Sequence, residues 1–265
     1  MALVDALGDA DWQIGITTTT AEYTSAGSAR VDPGETGSLV APPILPGIDA
    51  GSELVRQLAC ETVYWRDSTL ANDPTYTPNA DGTCPVPVSS EVSREYLTCV
   101  CDGGAWNTAE GSGNEEGLEA ITDSLCRMGG SVPADCFSMD SPLQASDAES
   151  DQGLWREGAL ARVLVLTDEG DGSRRIDNTD PDISTYLEIW EQFGRDLDVS
   201  VIGPTYENGD GSCLDSAQTW AVERYQAVAT ETGGSYAGLS DLANDCAPQD
   251  VAQMAAAAVE GMLQE

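Results

Sequence analysis

The sequence predicts an α/β fold with a mostly parallel sheet, and three observations carry that prediction. Residues 161–167 form a continuous apolar run, the pattern of a fully buried strand, and Asp198-Val-Ser-Val-Ile-Gly203 reads as the next buried strand. Segments with apolar residues at helical spacing stand between and after them. Strand and helix patterns alternate along the chain, which favours parallel pairing through crossover helices.

Each element has its own justification. Trp12-Gln-Ile-Gly-Ile-Thr-Thr-Thr-Thr20 is rich in β-branched residues and reads as a strand. Residues 21–37 are rich in Gly, Ser and Thr and read as a loop. Ser38–Ala41 reads as a short strand, confined to an edge by Pro42 and Pro43. Ser52 is placed to cap a helix that carries Leu54, Val55, Leu58, Ala59 and Thr62 on one face.

Residues 66–110 break the rhythm with prolines, Asp/Asn/Gly turns and three cysteines. They read as a disulfide-stapled, loop-rich insertion within one domain spanning 1–265, because so short a stretch builds no independent core without staples. Helical order returns at Gly111-Ser-Gly-Asn-Glu-Glu-Gly-Leu118. Ser112 and Glu115 have capping-box spacing, and Leu118, Ile121, Thr122 and Leu125 form one face.

A second polar stretch, 129–153, precedes the 161–167 strand, which runs out into Asp168-Glu-Gly-Asp171. Tyr186, Ile189, Trp190, Phe193 and Leu197 keep helical spacing, and the 198–203 strand follows. Ala217, Trp220, Ala221, Tyr225 and Val228 mark the next helix, which Gly233-Gly234 ends. Residues 234–237 read as a short last strand. A final helix carries the apolar stripe Val251, Met254, Ala255, Ala258, Val259, Met262 and Leu263.

Composition narrows the function. The 265 residues hold 46 acids, 11 bases (all Arg) and no histidine, for a net charge of −35. Such a chain repels phosphate, so nucleic acid is not its partner, and anionic membrane surfaces are disfavoured for the same reason. No apolar run approaches the ~18 residues of a membrane span. Without histidine, Ser-His-Asp and Cys-His catalysis are impossible within the chain. An enzyme would need an Asp/Glu pair, and none stands out among so many acids. The expectation is a protein that is not an enzyme. The same acidity is also what a saline habitat selects, where charged surfaces stay hydrated.

The eight cysteines are Cys60, Cys84, Cys99, Cys101, Cys126, Cys136, Cys213 and Cys246. Their even number, with no His beside them, favours disulfides over zinc. Cys126 and Cys136 bracket a short loop at a helix end and are expected to pair. Cys213 and Cys246 follow strands that end on one rim, which makes their bridge geometrically reasonable. Cys60, Cys84, Cys99 and Cys101 would staple the insertion. Disulfides imply an oxidising compartment: extracellular, cell-surface or periplasmic. Residues 1–30 show neither a basic start nor an apolar export core.

Two sites could carry chemistry. Leu166-Thr-Asp-Glu-Gly-Asp-Gly-Ser173 leaves the carboxyl end of a strand, where open α/β sheets place their ligands. Thr and Asp there suit a hard cation. Gly111–Gly117 opens a helix but carries two carboxylates and no Lys, which makes phosphate improper for it. Asp81-Gly-Thr83, Asn208–Ser212 and Asp177–Asp180 look like pieces of calcium loops, without the terminal Glu of a full one. They support an alternative reading, a structural calcium-binding acidic surface protein.

In combination, Asp11–Thr19, Gly113-Asn-Glu-Glu-Gly-Leu-Glu-Ala120, Arg162-Val-Leu-Val-Leu-Thr-Asp-Glu169 and Val199-Ser-Val-Ile-Gly203 resemble successive landmarks of bacterial von Willebrand factor A (VWA)-like domains. The likeness covers most of the chain outside 61–110 and 129–155. It implies a Rossmann-like sheet flanked by helices and a divalent cation, Mg2+ or Ca2+, on the carboxyl rim. It also implies a module that binds protein or glycan partners. Asp168 matches the third-loop Asp of that family's cation site, and Ser112 is the nearest hydroxyl on the second loop. The first-loop D-x-S-x-S does not occur in the 265 residues. The cation site implied is therefore incomplete or degenerate. Residues preceding Met1 would account both for the missing first loop and for the missing export signal.

Overall fold

The computed structural model describes residues 2–8, 10–19, 37–58, 116–127, 132–137, 143, 154–156, 158–167, 170–173, 182–194, 197–203 and 222–238, with 255, 257, 258 and 261. The insertion at 66–110 lies outside them, as do Asp168, Ser112, Cys60, Cys84, Cys99, Cys101, Cys213 and Cys246.

The class is mixed α/β. Helices α1 (Ala2–Leu7), α2 (Ala50–Arg56) and α3 (Gly117–Cys126) come first, followed by a 3-10 turn at Ala134–Phe137. Strand β1 (Ala161–Leu166), helix α4 (Ser184–Glu191), strand β2 (Leu197–Gly203), helix α5 (Val222–Glu231) and strand β3 (Tyr236–Gly238) complete the order. The three strands form one sheet in the order β1-β2-β3, with both pairings parallel. Val163 pairs with Val199, and Ile202 with Ala237. Among the described residues a helix lies between the strands of each pair, the crossover that parallel neighbours require.

Central β2 is buried from Val199 to Gly203. Val199 and Val201 face a core shared with Leu118, Ile121 and Leu125 of α3, Tyr186, Ile189 and Trp190 of α4, and Tyr225 and Val228 of α5. The small side chain of Ser200 meets the β3 side, accepting from the Ser235 N–H at 3.0 Å. Gly234 sits where any Cβ would run into the Val199 carbonyl, so only glycine lets the chain approach β2 at this point.

A second apolar cluster gathers Trp12, Ile16, Val40, Ile44, Ala50 and Leu54. Here the sequence reading needs correction. Residues 12–20 and 38–41 do not form ladder strands among the described residues. Ile14 and Ile44 make a single antiparallel bridge, and Val40 donates to the Ile16 carbonyl at 2.9 Å. Pro42 and Pro43 supply no N–H, so no continuous ladder joins the Val40 bond to the Ile44 bridge.

Helix ends also differ from the reading. Helix α2 starts at Ala50 with Asp49 at the cap position, and Ser52 is an exposed interior residue. Leu197 opens β2 instead of closing α4, which stops at Glu191 before Gly194 at φ +61°. Glycine alone takes that left-handed turn at little cost. The described residues of 251–263, namely Ala255, Ala257, Ala258 and Gly261, are helical.

Cys126 and Cys136 form a disulfide, as their spacing suggested, with Cα atoms 5.7 Å apart and both residues fully buried. Among the described residues no helix is long and apolar enough to cross a membrane.

Candidate functional site at the carboxyl rim

Parallel pairing puts the carboxyl ends of β1 and β2 on one rim. Thr167, the first residue past β1, is buried and donates its N–H to the Ile202 carbonyl at 3.1 Å. A Cβ on Gly203 would lie 3.3 Å from the Thr167 methyl and 3.2 Å from the Tyr236 hydroxyl. Small residues therefore let the three strand ends converge.

Helix α3 brings its N-terminus to the loop that follows β1. A helix start leaves N–H groups without partners in the helix. The sequence suggested a local capping box at Ser112 and Glu115, both outside the described residues. Glu116 stands at the cap position and makes no side-chain cap bond. The caps come from far along the chain instead. Asp171 Oδ1 accepts the Leu118 N–H at 3.1 Å, and Ser173 Oγ accepts the Glu119 N–H at 2.9 Å. The Ser173 hydroxyl in turn donates to Asp171 Oδ1 at 2.7 Å.

The other Asp171 oxygen faces α5. Arg224 Nη1 donates to Asp171 Oδ2 at 3.2 Å, to the Ser173 carbonyl at 3.0 Å and to the Asp171 carbonyl at 3.3 Å. Arg224, Asp171 and Ser173 are all fully buried. Burial pushes the Asp171 carboxyl above its ordinary range, while Ser173, the Leu118 N–H and Arg224 pull it back. Gly117 has no room for a side chain, because a Cβ would strike the Tyr225 hydroxyl of α5.

Helix α3 is buried on every side, and its polar residues meet α4. The Tyr186 hydroxyl donates to Glu119 Oε2 at 3.1 Å. Trp190 Nε1 donates to Thr122 Oγ1 at 2.8 Å, and that hydroxyl donates to the Leu118 carbonyl at 2.8 Å. Near the helix end, Trp155 Nε1 donates to the Ser124 carbonyl at 3.1 Å. Glu116, Glu119, Asp123 and Asp171 are thus four buried acids around one helix.

The sequence pointed to this rim through Thr167, while Asp168 lies outside the described residues, and it missed Asp171, Ser173 and Arg224 as the organising residues. The Asp-Gly-Ser run after a strand was the available signal. Arg224 gave none, since an Arg on an amphipathic helix reads as solvated. Asp171 does not suit a divalent cation here, because both its oxygens are engaged and a guanidinium faces it. Among the described residues no group of three or more acidic or cysteine side chains could hold a metal ion. Compared with protein-family models, with curated proteins and with solved structures, the chain has no match in any of the three.

Proposed function

We propose that this chain is an extracytoplasmic VWA-like module that binds a protein or glycan partner at the carboxyl rim of a Rossmann-like sheet. The observation that carries this reading is the convergence of the β1 exit, the β2 end and the α3 N-terminus at one edge. Parallel sheets offer their ligands that edge, because the loops leaving it vary while the strands stay fixed. The buried Cys126–Cys136 bridge supports an oxidising compartment. Asp168 and Ser112 are the residues proposed to meet the partner or a cation it helps to hold. In this proposal the cation site is degenerate, the role is recognition, and no covalent chemistry is assigned.

Binding of the full chain to an array of extracellular matrix proteins and glycans tests this, with and without EDTA. The expected result is selective binding that Asp168→Ala weakens about tenfold or more, as loss of a charged contact does. Absence of binding across the array, or binding untouched by Asp168→Ala and Ser112→Ala together, overturns the reading.

A further inference from the structure

We infer that Arg224 serves as a built-in cation that fastens the 170–173 loop onto the N-terminus of α3 and so sets the rim without a divalent ion. The inference rests on the proposed function only for what the rim is used for; the fastening itself stands on geometry.

The oxygen set is the first argument. One Asp171 carboxylate oxygen and the main-chain carbonyls of Asp171 and Ser173 converge on the single nitrogen Nη1 of Arg224, between 3.0 and 3.3 Å. A carboxylate joined by two carbonyls is the kind of set that a hard cation collects. Here a guanidinium collects it. The remaining carboxylate oxygen is taken by the Leu118 N–H and the Ser173 hydroxyl. The positive end of α3 and the guanidinium therefore grip one carboxylate from two directions.

Permanence is the second argument. Arg keeps its charge throughout the accessible pH range, and no chelator removes it. A fully buried partner pair is also little screened by salt. The third argument is connectivity. Thr167 is pinned to the Ile202 carbonyl, and Asp171 to Arg224. The chain that leaves β1 at Thr167 is therefore anchored again at Asp171, and Arg224 helps to fix that second point. Arg224 is a positioning residue in this scheme.

Residue-resolved amide hydrogen exchange on the full chain tests it, reading Leu118 and Glu119 against Val199 and Val201 in the sheet. In the unaltered protein, EDTA and excess Ca2+ or Mg2+ are expected to give the same protection at Leu118 and Glu119. Arg224→Met should speed exchange at those two amides by about a hundredfold or more, since it leaves a buried carboxylate unpaired. Arg224→Lys, which keeps the charge, should speed it less. Loss of Leu118 and Glu119 protection in EDTA alone would show that a divalent ion holds the loop, and the inference falls. It falls equally when Arg224→Met leaves both amides protected. Should Arg224→Met unfold, the unaltered chain in EDTA and Arg224→Lys still decide. Failure of array binding leaves these exchange rates unmoved, so the two readings fail separately.

Discussion

The two apolar clusters are built from the same kinds of side chain and held in opposite ways. Around the sheet, backbone groups are paired by a parallel ladder, and buried polar side chains knit α4 to α3 and α5 to the 170–173 loop that caps α3. Around Trp12, the described residues pair through the Ile14–Ile44 bridge and the Val40 N–H to Ile16 carbonyl bond without forming a ladder, with short helices alongside. The ion pairs follow the same division. Arg224–Asp171 has no exposure on either side, whereas Asp11 in the Arg156–Asp11 pair is 86% exposed. Apolar burial alone thus gathers a cluster, but long-range polar pairing fixes its geometry.

The contrast can be broken at its strongest point first. Asp171→Ala leaves Arg224 buried without its carboxylate and strips a cap from α3. Chemical denaturation should show a loss of about 3–5 kcal/mol, the usual cost of breaking a buried pair. A loss below about 1 kcal/mol would show that water reaches the site and the pair is not structural.

A middle effect is expected where α3 meets α4. Trp190→Phe keeps the ring packing and removes the donor to Thr122. The expected loss is about 1–2 kcal/mol, and Thr122→Val should cost less in the Trp190→Phe background than in the unaltered chain, because the Trp190–Thr122 bond is then already gone and only the bond to the Leu118 carbonyl is left to lose. Additive losses in this double-mutant cycle would argue against the coupling.

The smallest effects should come from the Trp12 region. Asp11→Ala should shift stability by no more than about 0.5 kcal/mol, and less in high salt. Glu53 sharpens the point through pH. The Arg56 hydrogen bonds hold its carboxyl below the ordinary range against partial burial, with Gln57 assisting. A depressed folded value means that the contribution is present above the ordinary glutamate range and is lost as pH falls through the folded value. The stability gap between the unaltered chain and Glu53→Gln should therefore be about a few tenths of a kcal/mol above the ordinary glutamate range and should close as pH falls through the folded value. A gap that widens on acidification would reverse the assignment.

Much of the sheet region was legible in the sequence because it obeys local periods. The 161–167 and 198–203 segments became β1 and β2, though β1 is buried only at Ala161 and Val165 and leaves Leu166 exposed instead of being covered on both faces, and Leu118, Ile121, Thr122 and Leu125 are all buried as their spacing required. The polar network was not legible. Asp171 and Ser173 cap residues more than fifty positions away, and no period or local motif encodes such a meeting. Glu119 and Asp123 look like a solvated face in sequence, yet burial surrounds α3 completely. The 12–20 segment was overread for a related reason. β-branched composition reports a half-buried surface, and whether a ladder forms there depends on a partner that Pro42 and Pro43 interrupt.

Helix α3 is also fastened at both ends. Loop residues grip its first turn, and a covalent bridge ties its last residue to Cys136. In mechanical terms it is a short beam of about 15 Å, clamped at each support. A tensile load applied at the rim would pass along the beam into the 132–137 segment instead of peeling the helix from its free end. Helices usually yield by fraying, and this one has no loose end from which to start. Under such a load, failure would have to begin away from the ends of this helix.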